Sequence, residues 1–313
     1  MPEPLGDLLD RALGAYLGLA IGDALGATVE FMRPREIQAQ YGVHRDMVGG
    51  GWLKLARGQV TDDTTMSLAL GDALLAGGAS ALQAHAQGDD ALVHGMGQAF
   101  VRWWRGKPVD CGNTCRRGIL RFLHEGSLSG PLNDGDGGNG AAMRNLPVVV
   151  ATWHDAGAFE RLSLAQARLT HHHPLSDAAV LGLGQLLRQV LAGQDRVACD
   201  AWVAQWVAQH PQFVFHPYRG RATAYVVDTV QTVLHHFLLY QDFEEALVAT
   251  VNRGDDADTT GALVGMLAGA RCGASRLPAR WLNRLQPDTR QAITDQTSGL
   301  LALAAAARDT HHA

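Results

Sequence analysis

The segment that decides the fold is residues 12–26, ALGAYLGLAIGDALG, in which glycine recurs at every fourth position from Gly14 to Gly26. The apolar residues around these glycines follow the 3.6-residue period of a helix, on a face that begins at Leu5. Glycine lowers helix propensity, so this spacing is favoured only where another helix backbone must approach closely. The spacing returns in 261–273, and both segments therefore predict tightly packed helices. Polar and charged residues interrupt both, which disfavours a membrane dimer motif of the GxxxG type.

A short acidic string adjoins each glycine ladder. The strings are TDDT at 61–64 and DADT at 256–259, and each directly precedes a run of small and aliphatic residues. Two like charges about 4 Å apart repel by roughly 4 kcal/mol at an effective dielectric near 20, so four or five converging carboxylates require a cation. Oxygen ligands favour a hard divalent ion such as Mg²⁺ or Mn²⁺ over zinc. More than three carboxylates indicate two ions.

Helix capping is the alternative interpretation of both strings. Asp and Thr at a helix N-terminus accept hydrogen bonds from free N–H groups and lie at the positive end of the helix dipole. Capping requires only one such residue, whereas each string supplies several. We expect both interpretations to hold, with capping and metal binding at the same helix ends.

Composition excludes several classes of protein. The chain has 313 residues, 47% of them hydrophobic, and a formal net charge of −5. It carries no basic stripe of the kind that binds nucleic acid, and no run reaches the eighteen or more apolar residues of a membrane span. The N-terminus, MPEPLGDLLD, lacks the features of a signal peptide. We therefore expect a cytoplasmic protein whose four cysteines (Cys111, Cys115, Cys199 and Cys272) are free thiols.

Helical periodicity dominates the rest of the chain, and no convincing alternating strand is present. Besides the two glycine-lined segments, the pattern predicts helices at 66–77, 91–105, 113–124, 176–192, 199–209, 221–238, 243–250 and 289–307. No stretch reads as a linker, since the longest break, 126–140, is rich in specific polar chemistry. The sequence thus predicts a single all-α domain over residues 1–313.

Two further elements fall in breaks between helices. The stretch NDGDGGNGAAMR at 133–144 places four glycines in six positions before a helix, so its N–H groups can approach a phosphate, although a solvent-exposed loop is an alternative. It is neither a P-loop nor a Rossmann fingerprint. The stretch THHHP at 170–174 precedes the next helix. Because consecutive residues cannot all face one ion, we expect one of these histidines to point into a cleft.

Together these motifs resemble the ADP-ribosylglycohydrolases, which remove ADP-ribose from modified arginine. The resemblance spans nearly the whole chain and rests on five stretches in order: GDALG at 22–26 with Glu30-Phe31, GQVTDDT at 58–64, GNGAAMR at 138–144, Thr170-His171, and DADTTGA at 256–262. Three more stretches, GGGW at 49–52, VDCGNTCRRG at 109–118 and AYVVDT at 224–229, resemble the branch that acts on dinitrogenase reductase in nitrogen-fixing bacteria.

The resemblance implies a compact orthogonal bundle of helices with a dinuclear Mn or Mg centre in a cleft. The implied metal ligands are Thr61, Asp62, Asp63, Asp256, Asp258 and Thr259. The implied contacts to ADP-ribose are Asn139, Gly140, Met143, His171 and Tyr225, with Glu30 helping to close the cleft. Asp255 departs from the family pattern, in which a small residue such as glycine is expected.

The implied activity is hydrolysis of the N-glycosidic bond to arginine, with two metal ions holding the ribose hydroxyls and a water. We expect Asp62 to activate that water, either directly or after ring opening, and Asp136 to act as acid or base on the neighbouring loop. A two-metal phosphohydrolase and a silent ADP-ribose-binding module are the alternatives. The resemblance also implies ADP-ribosylated dinitrogenase reductase as substrate, control by a PII-type signalling protein and reversible membrane association through a protein partner.

Overall fold

A computed structural model of the chain describes residues 5–310, and within this range it contains helices and no β-strand. The helices are α1 Leu5–Gly26, α2 Pro34–Tyr41, α3 Asp62–Ala86, α4 Ala91–Arg105, α5 Asn113–Glu125, α6 Leu146–Ala151, α7 Ala156–Arg168, α8 Pro174–Leu191, α9 Arg196–Gln209, α10 Val226–Leu239, α11 Phe243–Val251, α12 Ala257–Cys272, α13 Ala279–Leu282 and α14 Pro287–Thr310. The prediction of an all-α fold is confirmed. Residues 1–4 and 311–313 lie outside the described residues. The predicted domain includes these residues, and the prediction that the chain has no signal peptide concerns the first of them.

The predicted helices are present, with differences at their ends. Helix α10 begins at Val226 rather than at 221, because Tyr225 is extended and its backbone pairs with Gly138 in an isolated bridge. The helix predicted at 66–77 continues to Ala86 with a break at Gly78, whose φ of 69° lies in the left-handed region. Helices α2, α6, α7 and α13 were not predicted; α6 and α13 are too short to show a period.

The two glycine-lined helices pack against each other at the centre of the fold. A Cβ atom added at Gly18 would lie 2.1 Å from the carbonyl oxygen of Gly265, and one added at Gly22 would lie 2.0 Å from that of Gly261. Gly14 faces Gly269 in the same way, and Gly26 faces Ala257. Carbon atoms do not approach oxygen this closely, so each glycine permits a contact that alanine would block. The prediction of close helix packing is confirmed.

This packing brings the two acidic strings together. Gly26 at the end of α1 lies against Ala257 at the start of α12, and Asp23 on α1 is hydrogen-bonded to Thr61 at the start of α3. The N-termini of α3 and α12 therefore meet beside the C-terminal turn of α1. Residues almost two hundred positions apart in the chain form one buried acidic region as a consequence.

Among the described residues, one helix, α3, has the length and composition of a membrane span, with a mean hydropathy of 1.3 in its most apolar window. This span was not predicted, because Ser67 and Asp72 interrupt its apolar residues. Helix α3 begins with the buried Asp62 and Asp63 and packs against α4, α6 and α14. Core helices of soluble proteins share this composition, so it is weak support for a membrane segment.

Candidate active site

A cleft of about 410 Å³ opens over the acidic region. Nine of the residues that the sequence singled out line it: Glu30, Asp62, Asn139, Gly140, Met143, His171, Asp256, Asp258 and Thr259. Thr61 and Asp63 lie buried beneath this lining. The fold thus gathers the acidic strings, the glycine-rich loop and one histidine around a single cavity.

The first residue of each acidic string does not cap its own helix. Thr61 and Asp256 occupy the N-cap positions of α3 and α12, and neither side chain makes a capping hydrogen bond. The N-terminus of α3 is capped instead by Asp23, whose carboxylate accepts hydrogen bonds from the backbone N–H and the hydroxyl of both Thr61 and Thr64. The expectation of capping by the string was therefore wrong for α3, whereas in α12 Asp258 Oδ1 accepts the first-turn N–H of Thr259 at 2.9 Å. Because Asp23 caps α3, Asp62 and Asp63 are available for another role.

The carboxylates converge closely enough to hold a cation. One oxygen each from Glu30, Asp256 and Asp258 lies within 4.8 Å of the others. Asp63 Oδ1 is buried and accepts no hydrogen bond from the described residues. A buried carboxylate oxygen without a donor is costly unless a cation is its partner. The all-oxygen donor set fits Mg²⁺ or Mn²⁺, and it includes Glu30, which the sequence had assigned to closing the cleft.

Burial raises the pKa of every acid in this cluster. It raises the pKa of Glu30 to about 8, of Asp62 to about 7 and of Asp256 to about 6, with repulsion from neighbouring carboxylates adding to the effect. The pKa values of Asp63 and Asp258 are also raised well above the usual range by burial and by the surrounding acids. Such values indicate that the ionised cluster needs compensating positive charge.

The glycine-rich loop forms part of the cleft lining and is held in place by backbone hydrogen bonds. The N–H of Asn139 donates to the Ala224 carbonyl at 3.1 Å, and the N–H of Val226 donates to Gly137 at 2.9 Å. The Asn139 side chain donates to Asp256 and to Thr229, so the loop is linked to the acidic cluster. These hydrogen bonds anchor the loop at both its backbone and the Asn139 side chain.

Of the three consecutive histidines, His171 lines the cleft, in agreement with the expectation that only one would. His172 contacts the Gly130 carbonyl, and His173 accepts the N–H of Leu175 at the start of α8. Burial lowers the pKa of His171 well below its usual value, with help from the cations of Arg144 and Arg117. His171 is accordingly a neutral group in the cleft.

A chain of hydrogen bonds leads from Arg144 to Nδ1 of His171. The buried Arg144 donates from Nη2 to Thr170 Oγ1 at 2.7 Å, and this hydroxyl lies 2.8 Å from His171 Nδ1. Since the hydroxyl accepts from Arg144, its own hydrogen is available for Nδ1, and the competing acceptor, the Ala167 carbonyl, is farther away at 3.5 Å. This arrangement favours the neutral tautomer with its proton on Nε2, which would lie 3.3 Å from a Cβ atom added at Gly138.

Besides Thr61 and Asp63, two predicted site residues lie outside the cleft lining. Asp136 is buried and pairs with Arg117 Nη2 at 2.6 Å. Tyr225 is 47% exposed, and its ring lies beside Gly137 at the outer edge of the loop. The structure does not bring either side chain to the acidic cluster, so the acid–base role of Asp136 and the ligand contact of Tyr225 stay predictions.

The ion pair offers a second role for Asp136, which is to anchor the loop through Arg117. If so, Asp136→Asn and Arg117→Met should lower kcat/KM by a similar factor, about tenfold, because each removes the same charge-assisted hydrogen bond. Steady-state kinetics of both variants would distinguish the roles. A loss of 100-fold or more in Asp136→Asn alone would restore the proton-transfer role.

Asp110 is a cleft residue that the sequence interpretation missed. Burial raises its pKa, and its Oδ1 accepts the N–H of Cys111. It belongs to the stretch at 109–118 that resembled one branch of the family, but a single Asp in a loop gives no metal-site or catalytic pattern. Phe31, Trp52 and Cys111 also line the cleft without having been predicted to do so. All four cysteines are free thiols, as expected.

Asp255, the departure from the family pattern, adopts a φ of 52° in the left-handed region. Glycine adopts this conformation without strain, which explains why a small residue was expected there. The Asp255 carboxylate accepts the N–H of Ala222 at 3.4 Å and does not line the cleft. It therefore points outward rather than joining the acidic cluster.

A family model for ADP-ribosylglycohydrolases matches residues 4–311. The chain belongs to the ADP-ribosylglycohydrolase family. The ADP-ribosyl-[dinitrogen reductase] glycohydrolase of Rhodospirillum rubrum is 52% identical over 295 residues, which cover 94% of this chain and 97% of that protein. The ADP-ribosylarginine hydrolase Tri1 of Pseudomonas putida (strain GB-1) is 33% identical over 292 residues, covering 88% of this chain and 74% of the relative.

Solved structures also match this ADP-ribosylglycohydrolase. A structure described as an ADP-ribosylglycohydrolase-related protein complex superposes with a TM-score of 0.80 at 31% sequence identity. The match covers 96% of this chain and 99% of that one. The compact bundle of helices predicted from the sequence is thus the fold of the family.

Proposed function

We propose that this ADP-ribosylglycohydrolase cleaves the N-glycosidic bond between ADP-ribose and an arginine side chain, and that its protein substrate is ADP-ribosylated dinitrogenase reductase. The observation that carries the proposal is the 52% identity, which extends over 97% of the Rhodospirillum rubrum enzyme. The acidic cluster, the anchored loop and His171 in one cleft supply the chemistry that this reaction requires. The chain acts, in this proposal, as one domain over residues 1–313.

Two divalent ions, Mn²⁺ or Mg²⁺, are proposed as cofactors. The proposed ligands are Thr61, Asp62, Asp63, Asp256, Asp258 and Thr259, and the proximity of Glu30 to Asp256 and Asp258 adds a seventh candidate. When bound, the ions would neutralise the carboxylates and orient the ribose hydroxyls and the attacking water. The support for this set is the convergence of the acids and the unpartnered Asp63 Oδ1.

Asp62 is the proposed general base. Its Oδ2 accepts the N–H of Gly112 at 3.2 Å, which fixes the carboxylate at the cleft wall. The positive charge of the bound ions would favour the ionised form of this carboxylate, which can then accept a proton from the water. Water attacks the anomeric carbon as the bond to the guanidine nitrogen breaks, and that nitrogen takes up a proton. Asp110, which lines the cleft with a raised pKa, is a better placed proton donor than Asp136.

His171, Asn139 and Gly140 are proposed to position the ADP-ribose. With its proton on Nε2, His171 is a neutral donor to a ribose or phosphate oxygen. Gly140 is required for close packing, since an added Cβ would lie 2.8 Å from Cys115 Sγ and 2.9 Å from His171 Cε1. Met143 contributes an apolar part of the cleft lining, and Tyr225 would reach the ligand from the outer edge of the loop.

Thr170→Val tests the donor role of His171. Valine has the shape of threonine but cannot donate to Nδ1, so the imidazole proton would be shared between both nitrogens, and ADP-ribose affinity should fall about tenfold. Arg144 keeps the Gln166 carbonyl as an acceptor, which limits the damage to the core. Calorimetry should find Thr170→Ser close to wild type, and an unchanged Kd in Thr170→Val would contradict the assignment.

The linkage specificity of the reaction tests the proposed function itself. ADP-ribosylarginine and a peptide carrying ADP-ribose on arginine should both be hydrolysed, since most of the recognition lies in the ADP-ribose half. A peptide with ADP-ribose on serine should be hydrolysed far more slowly, because its leaving group is an alcohol rather than a guanidine. Comparable rates on the two peptides would overturn the arginine assignment.

Regulation is the least constrained part of the proposal. We propose a cytoplasmic enzyme controlled by a PII-type signalling protein, with any association with a membrane occurring through a protein partner. A pull-down from nitrogen-fixing cells before and after addition of ammonium tests this. Recovery of a PII-type protein under one condition alone would support it, and recovery under neither would contradict it.

A further inference from the structure

Two large aromatic side chains project into solvent at the mouth of the cleft. Phe31 is 63% exposed and Trp52 is 51% exposed, and their ring centroids lie 5.4 Å apart with the planes tilted by 47°. Both residues line the cleft together with Glu30. Exposed apolar rings beside a functional cavity are typical of a binding surface rather than of a folding requirement.

The backbone holds Phe31 in this position against its conformational preference. Phe31 has a φ of 61° and Asp255 has a φ of 52°, both in the left-handed region. The N–H of Phe31 donates to the Asp255 carbonyl at 2.6 Å, and the N–H of Asp255 donates to Met32 at 3.0 Å. Left-handed conformations are unfavourable for residues with a Cβ, and they concentrate at functional sites.

Trp52 is connected directly to the acidic cluster. Its Nε1–H donates to Glu30 Oε2 at 2.6 Å. A carboxylate oxygen of Glu30 in turn lies within 4.8 Å of one carboxylate oxygen each of Asp256 and Asp258. The aromatic pair therefore adjoins the end of the cleft at which the scissile ribose would lie. The group attached to the anomeric carbon of that ribose would then lie beside these rings. In the proposed substrate that group is the arginine, whereas the adenine is separated from the ribose by a pyrophosphate and a second ribose.

A guanidinium group suits this surface in both charge and shape. It is planar and cationic, stacks on aromatic faces, and is less strongly hydrated than an ammonium group. The face of an aromatic ring carries partial negative charge, which complements the cation. We propose, on the basis of the function proposed above, that Phe31 and Trp52 form the recognition surface for the arginine side chain of the ADP-ribosylated protein.

The test compares ligands with and without the arginine, using the Mn-loaded full chain. Trp52→Ala and Phe31→Ala should raise the KM for ADP-ribosylarginine about tenfold, which corresponds to the loss of a partly desolvated cation–π contact. The Kd for free ADP-ribose, measured by calorimetry, should stay within about twofold of wild type because no arginine is present. Val197→Ala, which alters a 74% exposed side chain on α9, should change neither value.

Trp52→Phe separates the ring from its hydrogen bond to Glu30. This variant keeps an aromatic face but cannot donate to Glu30, so it should bind ADP-ribosylarginine nearly as well as wild type. An equal loss in Trp52→Phe and Trp52→Ala would assign the effect to Glu30 and overturn the proposal. Equal weakening of free ADP-ribose would place the adenine on the rings instead, and unchanged constants for both ligands would also refute it. Failure of the wild-type protein to hydrolyse ADP-ribosylarginine would instead refute the proposed function.

Discussion

Asp258→Asn is expected to reduce hydrolysis of ADP-ribosylarginine by about 10³-fold or more, because it removes a charged oxygen from the centre of the acidic cluster. Asp258 is 2% exposed and lies in contact range of Glu30 and Asp256. The amide has nearly the same shape as the carboxylate, so the fold should survive. Bound manganese, measured after gel filtration, should fall in parallel with the rate. Asp62→Ala is expected to behave in the same way.

The matched control is Asp200→Asn on α9. Asp200 pairs with Arg196 at 3.4 Å on the surface, so its neutralisation should leave both the metal content and the rate unchanged. Thermal unfolding of metal-free Asp258→Asn should occur at or above the wild-type temperature, because one repelling carboxylate is gone. Full activity in Asp258→Asn would refute the assignment of the acidic cluster as the catalytic centre.

Gly22→Ala is expected to cause the largest loss of stability, about 3 kcal/mol or more in the free energy of unfolding. The added methyl group would lie 2.0 Å from the Gly261 carbonyl oxygen and 2.3 Å from its carbon. Both contacts are backbone atoms of α12, so no side chain can rotate away. The two central helices would have to separate, and the acidic strings at their ends would move with them. Urea unfolding measures the free energy, and manganese affinity should fall as well.

Gly95→Ala on α4 is the control for the change in helix propensity. An added Cβ at Gly95 meets nothing within 4 Å, so alanine should stabilise the protein by about 1 kcal/mol or less. If Gly22→Ala lowers the free energy of unfolding and Gly95→Ala raises it, then close packing, rather than flexibility, is the reason for the glycines of α1. A stable Gly22→Ala protein would contradict the packing of α1 on α12.

The glycine spacing made the central helix pair predictable because only glycine permits backbones to approach to this distance. Helix α4 was predicted with its observed ends, since its apolar period is regular and Gly106 follows it. Helix α7 was missed although it has thirteen residues, because only two of its six buried residues, Phe159 and Leu162, are large and apolar. The start of α10 was misplaced because the bridge between Tyr225 and Gly138 is a long-range contact.

The candidate site was predictable where function requires a local motif. The strings at 61–64 and 256–259 are recognisable from their closely spaced aspartates. His171 is recognisable because it lies in the break just before α8. The cap provided by Asp23 was not predictable, because it joins residues 38 positions apart. The same holds for the pairing of Asp136 with Arg117 and for the placement of Asp110 in the cleft, which depend on how α5 packs beside the loop.

Mass spectrometry of ADP-ribosylated dinitrogenase reductase after incubation with the Mn-loaded protein tests the central claim most directly. The account predicts that the modified peptide returns to the mass of the same peptide with an unmodified arginine, and that intact ADP-ribose is released in equal amount. A peptide that keeps a phosphoribosyl group while a nucleoside monophosphate is released would identify a phosphohydrolase and contradict the account. An unchanged peptide, despite full manganese loading, would contradict it equally.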